Sequence, residues 1–263
     1  MNLKLNGKSA LVTASSAGIG FEIAKTLAAE GADVILTGRV QEKLAQAAAE
    51  IEASTGHAVR PVLADAATEQ GAETLFAAVP TVDILVNNLG IYESKPFAAV
   101  TDDDWRRFFD VNVVSGARLS RHYFQPMLDR NWGRIIFISS ESAFMIPPTM
   151  IHYSVTKAAQ VNIARGLAEM TKGTGVTVNS VLPGPTRSEN IVDFLRSVSE
   201  HPENPPEALE EEFFRRHRST SLIQRMIEGE EVGSLVAYLA SPLAAATNGA
   251  ALRVEGGLLP MVG

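Results

Sequence analysis

The sequence contains no cysteine. That excludes a disulfide framework, a thiolate metal site and a cysteine nucleophile. Its five histidines show no spacing suited to a metal ion, so no metal is expected. No run of apolar residues approaches the length of a membrane span. The first residues, MNLKLNGKSALVTASSAG, lack an apolar stretch followed by a cleavage site, so no secretory signal is expected. Basic residues are in the minority, 23 Lys+Arg against 30 Asp+Glu for a net charge of -7, and no nucleic-acid footprint is present. These absences lead to the expectation of a cytoplasmic protein without a membrane or nucleic-acid partner.

What is present is ordinary for a globular chain: 263 residues, 46% hydrophobic and 20% charged. At that length one large core is available, and residues 1–263 read as a single domain. Short apolar runs alternate with helical patterns. The runs are residues 9–14, 33–38, 58–64, 83–86, 134–139, 176–182 and 250–254. Between them lie helix-forming stretches such as FEIAKTLAAEG, closed by Gly31. Thr101, with Asp104 three residues on, resembles a capping box that opens one long helix to about Arg130. Repeated β-α alternation with apolar strands predicts an α/β fold, a parallel sheet covered by helices on both faces. Ligands of such sheets bind beyond the carboxyl ends of the strands, where Asp65, Asn88, Ser140 and Pro183 fall.

The first strand, turn and helix form a βαβ unit with the second strand. The turn, Ser15-Ser16-Ala17-Gly18-Ile19-Gly20, lacks the G-x-G-x-x-G spacing. Its position still points to backbone N–H groups at a helix N-terminus that cradle a pyrophosphate. The second strand ends Leu36-Thr37-Gly38-Arg39, without the acid that would bind a ribose 2′-hydroxyl. Arg39 offers a planar fork of donors suited to a 2′-phosphate. The expected cofactor is therefore NADP(H), with NAD(H) as the second choice.

Tyr153 and Lys157 stand four apart in a helical stretch, on one face. A free tyrosine has a pKa near 10, and a nearby ammonium lowers it. The pair is thus a proton donor or acceptor for a carbonyl/alcohol couple. Ser140, thirteen residues upstream at a strand end, is placed to meet the same oxygen. Tyrosine and lysine at this spacing also describe two solvated side chains on any helix. The strand ending in Ser139-Ser140 just before them favours the chemical reading.

With these residues in place, the chain resembles the short-chain dehydrogenase/reductase family over nearly its whole length. The resemblance rests on Thr13 to Gly20, Asn87-Asn88-Leu89-Gly90, Asn112, Ser140, Tyr153-x-x-x-Lys157, Pro183-Gly184, and the tail from Gln224-Arg225-Met226 to Glu255-Gly256-Gly257. It implies a Rossmann-type fold of about seven parallel strands, NAD(P)(H), and hydride transfer to a small-molecule ketone or from an alcohol. It implies Tyr153 as general acid or base and Lys157 as the group that tunes it and binds the nicotinamide ribose. Ser140 becomes the substrate-oxygen donor, and Asn112 the holder of a relay water. It also implies cofactor contacts at Thr13, Ser15, Ser16, Gly18, Ile19, Gly20, Asp65, Ala66, Asn88, Gly90, Pro183, Gly184 and Thr186. A homo-oligomer, a tetramer, is implied as well. Two departures stand out. Ala14 replaces the family's first loop glycine, and costs little if its φ stays negative. Leu89 replaces an alanine and is expected to shift the ribose pocket.

Residues 187–223 are least like the rest. SEHPENPP reads as a loop between apolar groups, Ile191, Val192, Phe194 and Leu195 before it, Leu209, Phe213 and Phe214 after it. A lid over the reacting end is expected, the alternative being two amphipathic surface helices. Met145, Ile146 and Met150 are candidates for the opposite wall, and His152 for a group beside Tyr153. The leading functional expectation is an NADP(H)-dependent carbonyl reductase for apolar or medium-chain substrates. Reduction of a 3-oxoacyl thioester is the nearest specific alternative. A sugar or polyol substrate is less favoured because the candidate walls are apolar. A sensor that binds NADP(H) without catalysis is disfavoured, because Tyr153 and Lys157 are both present.

Overall fold

Seven strands form one sheet: β1 Ser9–Val12, β2 Asp33–Gly38, β3 Arg60–Leu63, β4 Ile84–Asn87, β5 Gly133–Ile138, β6 Val176–Pro183 and β7 Ala251–Val254. All neighbours are parallel, in the order β3-β2-β1-β4-β5-β6-β7. The computed structural model describes residues 2–189 and 191–261. The helices are α1 Gly18–Ala29, α2 Gln41–Thr55, α3 Glu69–Ala78, α4 Asp102–Phe109, α5 Ser115–Asp129, α6 Ile151–Glu169, α7 Ile191–Val198, α8 Pro206–His217 and α9 Gly229–Ala240. Among the described residues no helix is long and apolar enough to cross a membrane.

Strand side chains alternate between two cores, as a period of two requires. Val12, Ile84, Val86, Ile136 and Ile138 face α1, α2 and α9. Leu11, Leu85, Ile135 and Phe137 face α3, α5 and α6. Burial on both faces explains why the strands read as continuous apolar runs rather than alternating ones. Strand order reverses between β1 and β4, which leaves a crevice at their carboxyl ends, the usual place for a ligand in open α/β sheets.

Thr101 and Asp104 form the expected capping box: Thr101 N donates to Asp104 Oδ2 at 2.9 Å, and Asp104 N donates to Thr101 Oγ1 at 3.2 Å. The expected unbroken helix from there to Arg130 is not formed. A π-helical segment, Asp110–Val114, separates α4 from α5. Within this segment the Asn112 carbonyl accepts from Gln160 Nε2 at 2.6 Å. Single π turns of this kind often occur at functional sites.

Candidate active site

The turn after β1 builds the first wall of the crevice. Ala17, ahead of α1, supplies no side-chain cap. The first N–H groups of α1 and the positive end of its dipole therefore stay open. Ala14, Gly18, Ile19 and Gly20 line a cavity of about 390 Å³ there. Gly20 is dictated by close approach, since a Cβ would lie 2.4 Å from Asn88 Nδ2 and 2.5 Å from Ala14 O. Ala14 departs from expectation, because its φ is +51°, in the left-handed region. The turn has to reverse there to bring α1 onto the sheet, so the β-carbon is strained rather than neutral.

Three expected cofactor residues turn out to hold the turn together through their side chains. Thr13 Oγ1 accepts from Asn88 N and Leu89 N, at 2.9 Å each. Asn88 Nδ2 donates to Thr13 O and Ala14 O. Ser15 is fully buried, its hydroxyl donating to Val12 O and accepting from Thr37 N, while its own N–H donates to Thr37 O. That leaves neither the N–H nor the hydroxyl of Ser15 for a cofactor. Ser16 stays half-buried, beside Gly38 at the end of β2. Arg39 follows, exposed. Asp65 and Ala66 follow β3, and Asp65 Oδ1 accepts from Ala67 N at 3.1 Å. The Leu89 side chain packs against the core under α3, α5 and α6.

Ser140, Tyr153 and Lys157 come together on the opposite side of the same cavity. β5 delivers Ser140 at its end, and α6 presents Tyr153 and Lys157 one turn apart. Ser140 Oγ accepts from Ser142 N at 3.1 Å and donates to Glu141 Oε2 at 2.5 Å. Lys157 Nζ donates to Ile138 O at 2.9 Å and to Gln160 Oε1 at 3.2 Å, and lies 5.7 Å from the centroid of the Tyr153 ring. Asn112 clamps the loop after β4: its Oδ1 accepts from Ile91 N at 2.7 Å, and its Nδ2 donates to Ile91 O and Thr156 Oγ1 at 2.9 Å each. Between its carbonyl and Lys157 stands the amide of Gln160.

Burial governs the titration of the pair. Desolvation pushes the Lys157 ammonium down to about 8, against a smaller opposing pull from Glu141. The expected depression of Tyr153 is reversed. Burial first, then the Glu141 carboxylate, hold its phenol above the usual tyrosine value, and outweigh the lowering by Ser140 and Arg218. His152, next to Tyr153, turns away from the cavity. It is buried 4.3 Å from the Phe108 ring, with both ring nitrogens unpartnered, and burial lowers its pKa.

Described residues within 187–223 supply the third wall. Ile191, Phe194, Phe213 and Arg218 line the cavity, while Leu195, Leu209 and Phe214 pack with Met226 into a small core of their own. Of the three residues expected opposite, Met150 lines the cavity, and Ile146 is 55% exposed. Gly90, Gly184 and Thr186 complete the lining, and Pro183 is buried at the end of β6. Glu141, Gln160, Tyr92 and Arg218 did not emerge from sequence reasoning. A carboxylate directly after the serine pair was the one signal in reach.

A family model described as short chain dehydrogenase matches residues 8–197. The chain is 48% identical to the uncharacterized oxidoreductase YvaG of Bacillus subtilis over 263 residues, covering all of both chains. It is 32% identical to the 3-oxoacyl-[acyl-carrier-protein] reductase FabG of Aquifex aeolicus, over 98% of this chain and 100% of that one. Among solved structures, L-sorbose reductase of Gluconobacter frateurii, complexed with NADPH and L-sorbose, superposes over 100% of both chains with a TM-score of 0.91 at 28% identity.

Proposed function

The chain belongs to the short-chain dehydrogenase/reductase family and is an NAD(P)-dependent oxidoreductase acting on CH–OH and C=O groups; from that premise we propose an NADP(H)-dependent carbonyl reductase. The observation that carries the proposal is the convergence of Ser140, Tyr153 and Lys157 on one cavity whose far wall is the open N-terminus of α1. The lining suits the phosphate and nicotinamide parts of a dinucleotide, with the start of α1 on one side and Lys157 on the other. Unpartnered helix N–H groups suit a pyrophosphate. At Gly90 a Cβ would lie 3.3 Å from Lys157 Nζ, so the glycine keeps that ammonium reachable. The bound cofactor supplies or takes the hydride.

In reduction, the Tyr153 hydroxyl gives its proton to the substrate oxygen, and in oxidation the phenolate takes it back. Ser140 turns its hydroxyl to that oxygen and holds it. Two of the Lys157 N–H bonds are spent on Ile138 O and Gln160 Oε1, and the third is left for a ribose hydroxyl. The ammonium also favours the phenolate that Tyr153 must pass through. Ile191, Phe194 and Phe213 close over the reacting end as a lid and exclude water. Their apolar surfaces, with Met150 and Tyr92, support a substrate whose remaining carbons are apolar, of medium length. Reduction of a 3-oxoacyl thioester is supported by similarity alone, to proteins described as such reductases at 32%, 33% and 35% identity. A homotetramer is part of the proposal.

Tyr153→Phe removes only the proton-bearing oxygen. Turnover of ketones, followed by NADPH absorbance, is expected to fall about 10²–10⁴-fold, with NADPH binding nearly unchanged. Substantial residual turnover would sink the mechanism, and cofactor binding without turnover in the wild type would favour a sensor.

A further inference from the structure

Proton and hydride transfer account for Ser140, Tyr153 and Lys157 but leave a charged pair beside them unused. Glu141 is 4% exposed and Arg218 is 9% exposed, and both line the cavity. Glu141 Oε2 accepts the Ser140 hydroxyl at 2.5 Å. Its Oε1 meets Arg218 Nη2 only at 3.5 Å, long for a charge-assisted hydrogen bond. Arg218 Nη1 donates to His217 O at 2.8 Å, and its Nε is buried without a partner. A carboxylate offers about four acceptor sites and a guanidinium five donors. The pair therefore holds spare acceptor and donor capacity next to the catalytic serine.

We propose that Glu141 and Arg218 recognise a hydroxyl on the carbon next to the reacting carbonyl, which makes α-hydroxy ketones, and the corresponding vicinal diols in oxidation, the substrate class. A hydroxyl is the simple group that both donates and accepts: it donates to Glu141 and accepts from Arg218. The two charges cancel as a pair, so the site suits a neutral group. An added carboxylate meets Glu141, and an added cation meets Arg218. Position selects the neighbouring carbon. The Ser140 hydroxyl that holds the reacting oxygen touches the Glu141 carboxylate, so a group reaching both residues is attached close to that oxygen. When substrate enters, the Ser140 hydrogen bond turns from Glu141 to the carbonyl oxygen, and the substrate hydroxyl takes the vacated place on Glu141. The rest of the substrate lies against Tyr92, Met150, Phe194 and Phe213. This assignment rests on the carbonyl-reductase reading.

The test compares paired ketones with the full-length enzyme and NADPH: 3-hydroxy-2-butanone against 2-butanone, and 2-hydroxyacetophenone against acetophenone. Two hydrogen bonds to charged groups predict kcat/KM at least about 10-fold higher for the hydroxylated member of each pair. Arg218→Met is expected to bring that ratio to within about twofold of one, and Glu141→Leu to do the same independently. Thermal melting of both variants confirms that they fold. Turnover of both members at equal kcat/KM in the wild type overturns the proposal and leaves the carbonyl-reductase reading standing. A wild-type preference that survives in both folded variants assigns recognition elsewhere and overturns it too. No turnover of any of the four ketones, with NADPH or NADH, overturns the underlying reading and the proposal with it.

Discussion

Lys157 is a lysine whose charge is at risk within the ordinary assay range. Its ammonium is enclosed and touches neutral acceptors, Ile138 O and Gln160 Oε1, so burial lowers its pKa to about 8. A lowered base is charged below its pKa and neutral above it. The cation that favours the Tyr153 phenolate is therefore present below pH 8 and lost as the pH rises through it. The rate constant kcat/KM for ketone reduction should fall above about pH 8. In Lys157→Arg, whose guanidinium stays charged, that alkaline limb should vanish even though the overall rate drops. A wild-type profile that stays flat to about pH 9.5 would contradict this. Arg39 makes the second case at this scale. It is exposed at the end of β2 beside Gly38, where no acid stands to repel a 2′-phosphate. A charge-assisted contact there contributes about 1.5–3 kcal/mol, on the order of 10–100-fold in affinity. Arg39→Ala should raise KM for NADPH by that order and leave KM for NADH unchanged. If both rise equally, Arg39 is only a surface charge.

The turn between β1 and α1 carries a residue in a conformation glycine adopts more readily. Ala14 at φ +51° bears a left-handed penalty on the order of 1–2 kcal/mol. Glycine's extra freedom in the unfolded chain offsets about half of that. Ala14→Gly should therefore stabilise the protein by about 0.5–1 kcal/mol, read as a higher urea midpoint at unchanged slope. No gain would mean that the turn does not reverse at residue 14. The π segment between α4 and α5 is another element whose geometry matters beyond its length. The widened turn contains Asn112, whose carbonyl accepts from Gln160 Nε2. The Gln160 amide thus spans from the Asn112 carbonyl to Lys157.

Over the whole molecule, the long helices still present apolar surface. Val114 and Val155 are 40% and 41% exposed, on adjoining segments of the α4–α5 and α6 layer. Closed symmetric assemblies are the usual way for soluble chains to cover such faces. Light scattering at micromolar concentration should give a mass about four times that of the 28.2 kDa chain. A monomeric mass would contradict the tetramer. The net charge of -7 opposes assembly only weakly at physiological salt, where exposed charges are screened beyond about 8 Å.

The alternation of strands and helices, the capping box at Thr101 and the shared face of Tyr153 and Lys157 are all written locally. Each depends on residues within one or two turns of one another, so periodicity and spacing determine them without knowledge of the fold. The sheet order then carries the strand ends, and Ser140 with them, to one edge. What the tertiary structure alone decided are the contacts between distant residues and the effects of burial. Arg218 meets Glu141 across 77 positions, and Gln160 meets Asn112 across 48. Nothing in the spacing of either pair announces it. The left-handed φ of Ala14 follows from where α1 must land, and Leu89 points to the core because the loop after β4 is tied down by Thr13. The direction of the Tyr153 shift was out of reach for the same reason. A neighbouring lysine is visible in the sequence, but desolvation is set by everything packed around the phenol, and here it is the larger effect.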